Sequence, residues 1–300
     1  MTSTKNKNPF LIWGLLIILA LIWGSSFILI KKGLDVYPPE QLGSLRMIIA
    51  FLSLVVFVLP HFSKITFYDW KWVFIAGMLG NFIPAYLFAV AETGLDSSIT
   101  GVVNALVPLF VVLWGLLLFA QHITRRQALG IIVAFGGVLA LTFIRSGGTL
   151  AQLNGYVLLV VLATVCYGLN VNIIKYKLAH LPPVLLTGFA FVSIAPFALI
   201  HLFGFTDFVE LTLTADKAWL SLTYIAILAV VGTALALVLF NKLIQLTSPI
   251  FTSMVTYLIP IVAIAWGVLD GEIISSWEYL TMLLIIVGVY IVNNKKTIKA

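Results

Sequence analysis

The chain has 300 residues, 62% of them hydrophobic and only 9% charged, with a mean hydropathy of +1.14. A soluble domain carries roughly 25% charged residues, and so apolar a surface cannot stay in water, which excludes a soluble enzyme or nucleic-acid-binding fold. The net charge is +6, and its placement along the chain follows a membrane rather than a nucleic acid.

A helix rising about 1.5 Å per residue needs roughly 20 apolar residues to cross about 30 Å of hydrocarbon. Ten stretches approach that length. The first, 10–30, carries no charge, exceeds a signal-peptide core and is followed by no small-residue cleavage pattern, so it reads as a retained membrane helix. The next four are 42–59, holding Arg46; 73–91, with Asn81, Pro84 and Tyr86; 99–120, with Asn104 and Pro108; and 128–144. The second set begins with 155–174, which carries Cys166, Tyr167, Asn170 and Asn172. Then follow 184–203, 218–240, 250–269 with Thr256, Tyr257 and Pro260, and 279–292. Backbone in lipid must satisfy its own hydrogen bonds, and continuous rather than alternating apolar runs rule out a barrel. The expected fold is an all-α polytopic membrane protein with ten transmembrane helices.

Charge gives the orientation. With the N-terminus in the cytoplasm, twelve basic residues face inward, among them Lys5, Lys7, Lys64, Lys71, Arg125, Arg126, Lys175 and Lys177. Only Lys31, Lys32, Arg145 and Lys217 face outward, and Arg46 lies within a span. The positive-inside bias therefore places both termini in the cytoplasm. Cys166 is the single cysteine, so no intramolecular disulfide can form and no thiolate metal cluster can be built. His61, His122, His180 and His201 have no partner at ligand spacing, and neither metal nor cofactor is expected.

The second five stretches repeat the first. Trp23-Gly24 matches Tyr167-Gly168 at an offset of 144, as do Lys31 and Lys175, and Pro38-Pro39 and Pro182-Pro183. Pro108 matches Pro260 at 152, as does Trp114-Gly115 with Trp266-Gly267, and Gly137-Val138 matches Gly288-Val289 at 151. A polar linker at 146–153 divides repeats 1–145 and 154–300. Five is odd, so the sixth helix runs opposite to the first and the repeats are inverted. Inverted repeats are characteristic of secondary transporters, whose substrate site lies at the repeat interface near the midplane.

Several of these residues form a family pattern. Ile22-Trp23-Gly24-Ser25-Ser26-Phe27, Arg46, Pro108 with Trp114-Gly115, and the run Thr124, Gln127, Gly130 resemble an EamA domain. Pro260, Trp266-Gly267, Gly271-Glu272 and Gly288-Val289 resemble its second copy. The chain thus resembles, over essentially its whole length, the ten-helix EamA transporters of the drug/metabolite transporter superfamily. The resemblance implies a bacterial inner-membrane carrier, often an exporter of amino acids or other small metabolites. One departure is Gln121, where the family often has a glutamate; a coupling role for that acid is absent from the first repeat.

Arg46 is the leading substrate-binding candidate. It either snorkels to outer headgroups or to acids such as Glu40, or faces the cavity and binds a carboxylate through its guanidinium fork. Its repeat counterpart is Ala190, so the fold's symmetry does not demand the charge. Asn81, Tyr86, Asn104, Tyr167, Asn170, Asn172, Thr256 and Tyr257 are further candidates, since polar groups in hydrocarbon must face the bundle; a plain helix–helix hydrogen bond is the alternative for each. Trp23, deep in its helix, either stacks on an apolar substrate or packs. Pro108 and Pro260 are expected hinges because they recur. Glu92, at the outer end of the third helix, is the candidate for proton coupling, against the alternative of an exposed helix-end acid.

These readings converge on a secondary transporter of a small metabolite such as an amino acid, working as a monomer in the bilayer with no nucleic-acid partner. A channel or an intramembrane enzyme is the alternative. The His-Glu-x-x-His and Gly-x-Ser-x-Gly motifs are missing, as is a Gly-x4-Gly-Lys phosphate loop, so neither an obvious catalytic motif nor ATP-driven pumping is encoded.

Overall fold

The computed structural model describes residues 9–95, 97–145, 155–269 and 275–293. The linker, Gly271-Glu272 and the terminal lysines lie outside these residues, and so does the Trp266 side chain. Within them the chain is all-helical, with no strand. Six helices are long and apolar enough to cross a membrane, joined by shorter apolar helices. Leu117, Ile132, Leu158 and Ile200 stand exposed around the bundle. In water such a surface would aggregate; in lipid it is the stable arrangement.

Helix α1 runs Pro9–Gly24 and continues, after a break at Ser25, as Ser26–Leu34. The expected span is thus two pieces. Ser25 and Ser26 both turn their hydroxyls back onto carbonyls four residues earlier, Leu21 and Ile22, which weakens the helical ladder at the break. Helix α2, Pro39–Val58, starts with proline in its first turn, where a missing N–H is harmless. Helix α3 joins Phe67–Gly77 to Ile83–Ala91 through a π-helical stretch, Met78–Phe82. Pro84 has no N–H to give the Gly80 carbonyl, and the wider turn absorbs that gap.

The fourth expected span is broken into α4, Ser97–Asn104, and α5, Val107–Leu118. Then come α6, Arg125–Arg145, α7, Tyr156–Lys177, and α8, Pro183–Phe205. A short surface helix, α9, Phe208–Thr214, leads to α10. In α10, Ala218–Ile227 and Ala236–Leu246 flank a second π-helical stretch, Leu228–Leu235. The ninth expected span is also broken, into α11, Pro249–Ser253, and α12, Val255–Leu269, with Met254 between them. Helix α13, Ser276–Asn293, closes the fold.

The main packing pairs are α6 with α13, α2 with α8, α5 with α7, α3 with α7, and α1 with both α10 and α12. Glycines bring several of these pairs close. A Cβ on Gly24 would meet Val262 of α12 at 2.7 Å, and one on Gly168 would meet Phe110 of α5 at 2.6 Å. A Cβ on Gly288 would lie 2.5 Å from the Ala134 nitrogen, so α6 and α13 touch along their backbones. Membrane helices associate mainly through such contacts, because lipid tails offer no hydrophobic drive between them.

Candidate substrate cavity

Both π-helical stretches contribute to the wall of one cavity. Each sets a glycine into it, Gly80 in α3 and Gly232 in α10. The cavity holds about 900 Å³ of unfilled space, counting its open mouth. Gly80 leaves room for the Asn170 amide, which a Cβ there would overlap, and Gly232 leaves room for Ser26. At the π-turn the Ala236 N–H bonds to Thr233 and Val231, which leaves the Gly232 carbonyl without its usual helical donor. The Trp23 indole N–H fills that role at 3.0 Å and fixes the ring in the wall.

Among the described residues that line the cavity, Arg46 supplies the only formal charge. It sits seven residues into α2, and the helix begins three residues before the apolar run does. The side chain therefore starts about 10 Å below the helix end. Its Nε donates to the Thr233 hydroxyl at 2.6 Å, across to α10. The Thr233 hydroxyl itself donates to the Leu228 carbonyl at 3.1 Å, so its lone pair is left to accept from Arg46. The guanidinium thus points inward rather than snorkelling outward, and no carboxylate of the described residues lies within ion-pairing distance of it. Glu92, capping the end of α3, acts on it electrostatically from beyond ion-pairing distance.

Trp23, Asn81, Asn104, Tyr167, Asn170 and Thr256 line the cavity together with Arg46. Asn104 and Asn170 are buried, and the side-chain oxygen of each has no hydrogen-bond partner. A buried acceptor left unpartnered is costly, so both are poised for a donor. Thr256 instead satisfies its hydroxyl on the Ser253 carbonyl at 2.9 Å. Phe240 meets Trp23 edge to face at 5.0 Å, and Phe88 stacks on Tyr167 at 5.9 Å, giving the cavity aromatic sides.

Three candidates lie elsewhere. Asn172 is fully buried, and its amide donates to the Val111 and Gly168 carbonyls, bridging α5 and α7. Tyr257 is buried with its hydroxyl unpartnered and does not reach the cavity wall. Tyr86 bonds Ser44 at 2.6 Å, and Ser44 bonds His201 at 3.0 Å, tying α2, α3 and α8 together. Histidine partners were not foreseen: besides His201, His180 pairs with Asp69 at 3.0 Å. Among the described residues no group of three potential ligands could hold a metal. The break before Pro108 falls at Ala105-Leu106, whereas the break in the ninth span lies at Met254, six residues before Pro260. Trp114 donates to the Val165 carbonyl and packs away from the cavity.

Sequence reasoning missed Ser26, Phe27, Phe88, Thr233 and Phe240 as wall residues. The signal was available at the offset of 152 read in the sequence: Phe88 and Phe240 differ by 152, as do Gly80 and Gly232.

The EamA-like transporter family model matches the chain twice, over residues 11–143 and 154–294. A protein of Salmonella typhimurium named as a probable amino-acid metabolite efflux pump is 27% identical over 286 residues, covering 92% of this chain and 93% of that one. An Escherichia coli protein named as the uncharacterized inner membrane transporter YedA is 26% identical, covering 95% of this chain and 91% of its own length. A solved crystal structure, 17% identical, shares the fold with a TM-score of 0.71 over 93% of this chain and 95% of that one.

Proposed function

This chain belongs to the EamA-like transporter family, and from that premise we propose that it exports a small amino-acid-like metabolite across the bacterial inner membrane by alternating access. The observation that carries the substrate reading is Arg46. It is the single charge among the described wall residues, it is anchored at Nε, and its remaining donors have no carboxylate of the described residues to bind. A half-buried guanidinium that faces a cavity calls for an anion, and a carboxylate fits its fork. The unpartnered oxygens of Asn104 and Asn170 would accept from an ammonium or hydroxyl, and Phe88, Phe240 and Trp23 would cover an apolar side chain. The name carried by the Salmonella relative supports the same class.

In this reading ten helices form two inverted halves, 1–145 and 154–300, joined by the linker 146–153. Support comes from the two family matches and from the packing pairs, which exchange into one another when the halves are swapped: α5 with α7 becomes α12 with α1, and α3 with α7 becomes α10 with α1. Support also comes from the cavity wall, which draws residues from both 1–145 and 154–300, as alternating access requires. Excess basic residues place both termini in the cytoplasm. Pro108 and Pro260 serve as hinges, and Glu92, within electrostatic reach of Arg46, is the acid through which a coupling proton acts. One chain contains both halves and works as a monomer.

The test is counterflow in proteoliposomes preloaded with unlabelled amino acids and related acids, with trace label outside. Transient accumulation that saturates with substrate, and that Arg46→Ala abolishes, is the expected result. Label that only equilibrates, without saturation, would replace the carrier with a channel.

A further inference from the structure

At one face of the bundle a lysine closes the gap between two helices. Lys175, in the last turn of α7, donates through Nζ to the carbonyls of Ile244 at 2.8 Å and Gln245 at 3.4 Å, and also to that of Thr247. These carbonyls end α10, where a helix has unpaired acceptors and the negative end of its dipole. An ammonium with three donors suits such a cup. Gln245 adds a bond from its own amide to the Leu181 carbonyl at 2.7 Å.

Repeat equivalence runs through the cavity wall. Trp23 against Phe240 has its counterpart in Tyr167 against Phe88, and Ser26 against Gly232 in Asn170 against Gly80. Residues of α1 therefore map onto α7 at an offset of 144, and those of α3 onto α10 at 152. The counterpart of Lys175 is Lys31, and the counterparts of Ile244, Gln245 and Thr247 are Glu92, Thr93 and Leu95. Trp23 bonds the Gly232 carbonyl and the Lys32 carbonyl accepts from Ser221, so α1 packs antiparallel to α10 and Lys31 sits at the face opposite Lys175. There its side chain is exposed, and its ammonium holds no described partner.

We propose that Lys175 and Lys31 are alternating clamps: the conformation described here is locked by Lys175, and the opposite one is locked by Lys31 on the C-terminal carbonyls of α3. This rests on the transporter reading above. Each clamp holds one face shut while the cavity opens to the other, so the two lysines set the balance between the states.

Hydrogen exchange of the full protein in nanodiscs, without substrate, tests this independently of transport. Amides at 243–252 exchange when the Lys175 face opens. Lys175→Gln should accelerate them, and Lys31→Gln should slow them, each by about tenfold, the size expected for losing a charge-assisted hydrogen bond. The double variant should return near the wild-type rate. Lys31 lies on the surface, so its replacement does not threaten the fold. Unchanged or faster exchange at 243–252 in Lys31→Gln would overturn the clamp. Loss of counterflow in the wild type would instead overturn the transporter reading and leave the exchange result standing.

Discussion

The wall formed by α3 and the wall formed by α10 share one scaffold and differ in chemistry. Both bend through a π-turn at a glycine that admits a polar side chain from the neighbouring helix. Yet α10 places Thr233 where α3 has Asn81, and only Thr233 anchors an arginine. Likewise Arg46 in α2 faces a counterpart, Ala190 in α8, that is buried in the apolar core. In the proposed reading the duplication builds the frame, and the residues that break it carry the specificity.

That comparison can be broken by forcing symmetry. Ala190→Arg should have the largest effect, because an unpaired charge in the core costs on the order of 3–5 kcal/mol. Folded protein should be lost on size exclusion, and Arg46→Ala in the same chain should not restore it. Gly80→Ala should come next, destabilising by about 1–3 kcal/mol through overpacking against Asn170. Thermal unfolding in detergent would read this, and Asn170→Ala should relieve it.

Thr233→Val sharpens the comparison at the site itself. It removes the acceptor that aims Arg46, and substrate affinity should fall by about 1–3 kcal/mol, the penalty for a buried donor left unpaired. Thr233→Ser should keep affinity near wild type, as a rise in KM for valine alone would demonstrate. The smallest effect belongs to Pro108→Ala combined with Pro260→Ala. Protein should reach the membrane in normal amount, with counterflow slowed and not abolished.

Much of this fold was legible from hydropathy, because a run of apolar residues needs only length to reveal a span. The breaks were not. At Ser25, Met254 and the π-turns the run stays apolar while the hydrogen-bond ladder changes, and hydropathy does not register that change. The depth of Arg46 was hidden for a related reason: the apolar run starts at Leu42, whereas Pro39 opens the helix. At the site, Asn170 and Asn172 were indistinguishable as polar residues of one span. Two residues apart on a helix they point about 200° apart, so one faces the cavity and the other α5. Side-chain direction of that kind follows from packing, which a single sequence leaves open. Thr233 was overlooked because a threonine in an apolar helix usually satisfies itself on its own backbone.

The most direct measurement pairs an aromatic amino acid with its carboxamide as competitors in counterflow, in wild type and in Arg46→Ala. The two competitors match in shape and apolar surface and differ in the carboxylate. Wild-type protein should be inhibited by the acid at least tenfold more strongly than by the amide, as expected from a desolvated charge pair, and Arg46→Ala should lose that preference. Equal inhibition by both compounds in the wild type would contradict a cavity whose one charge selects an anion.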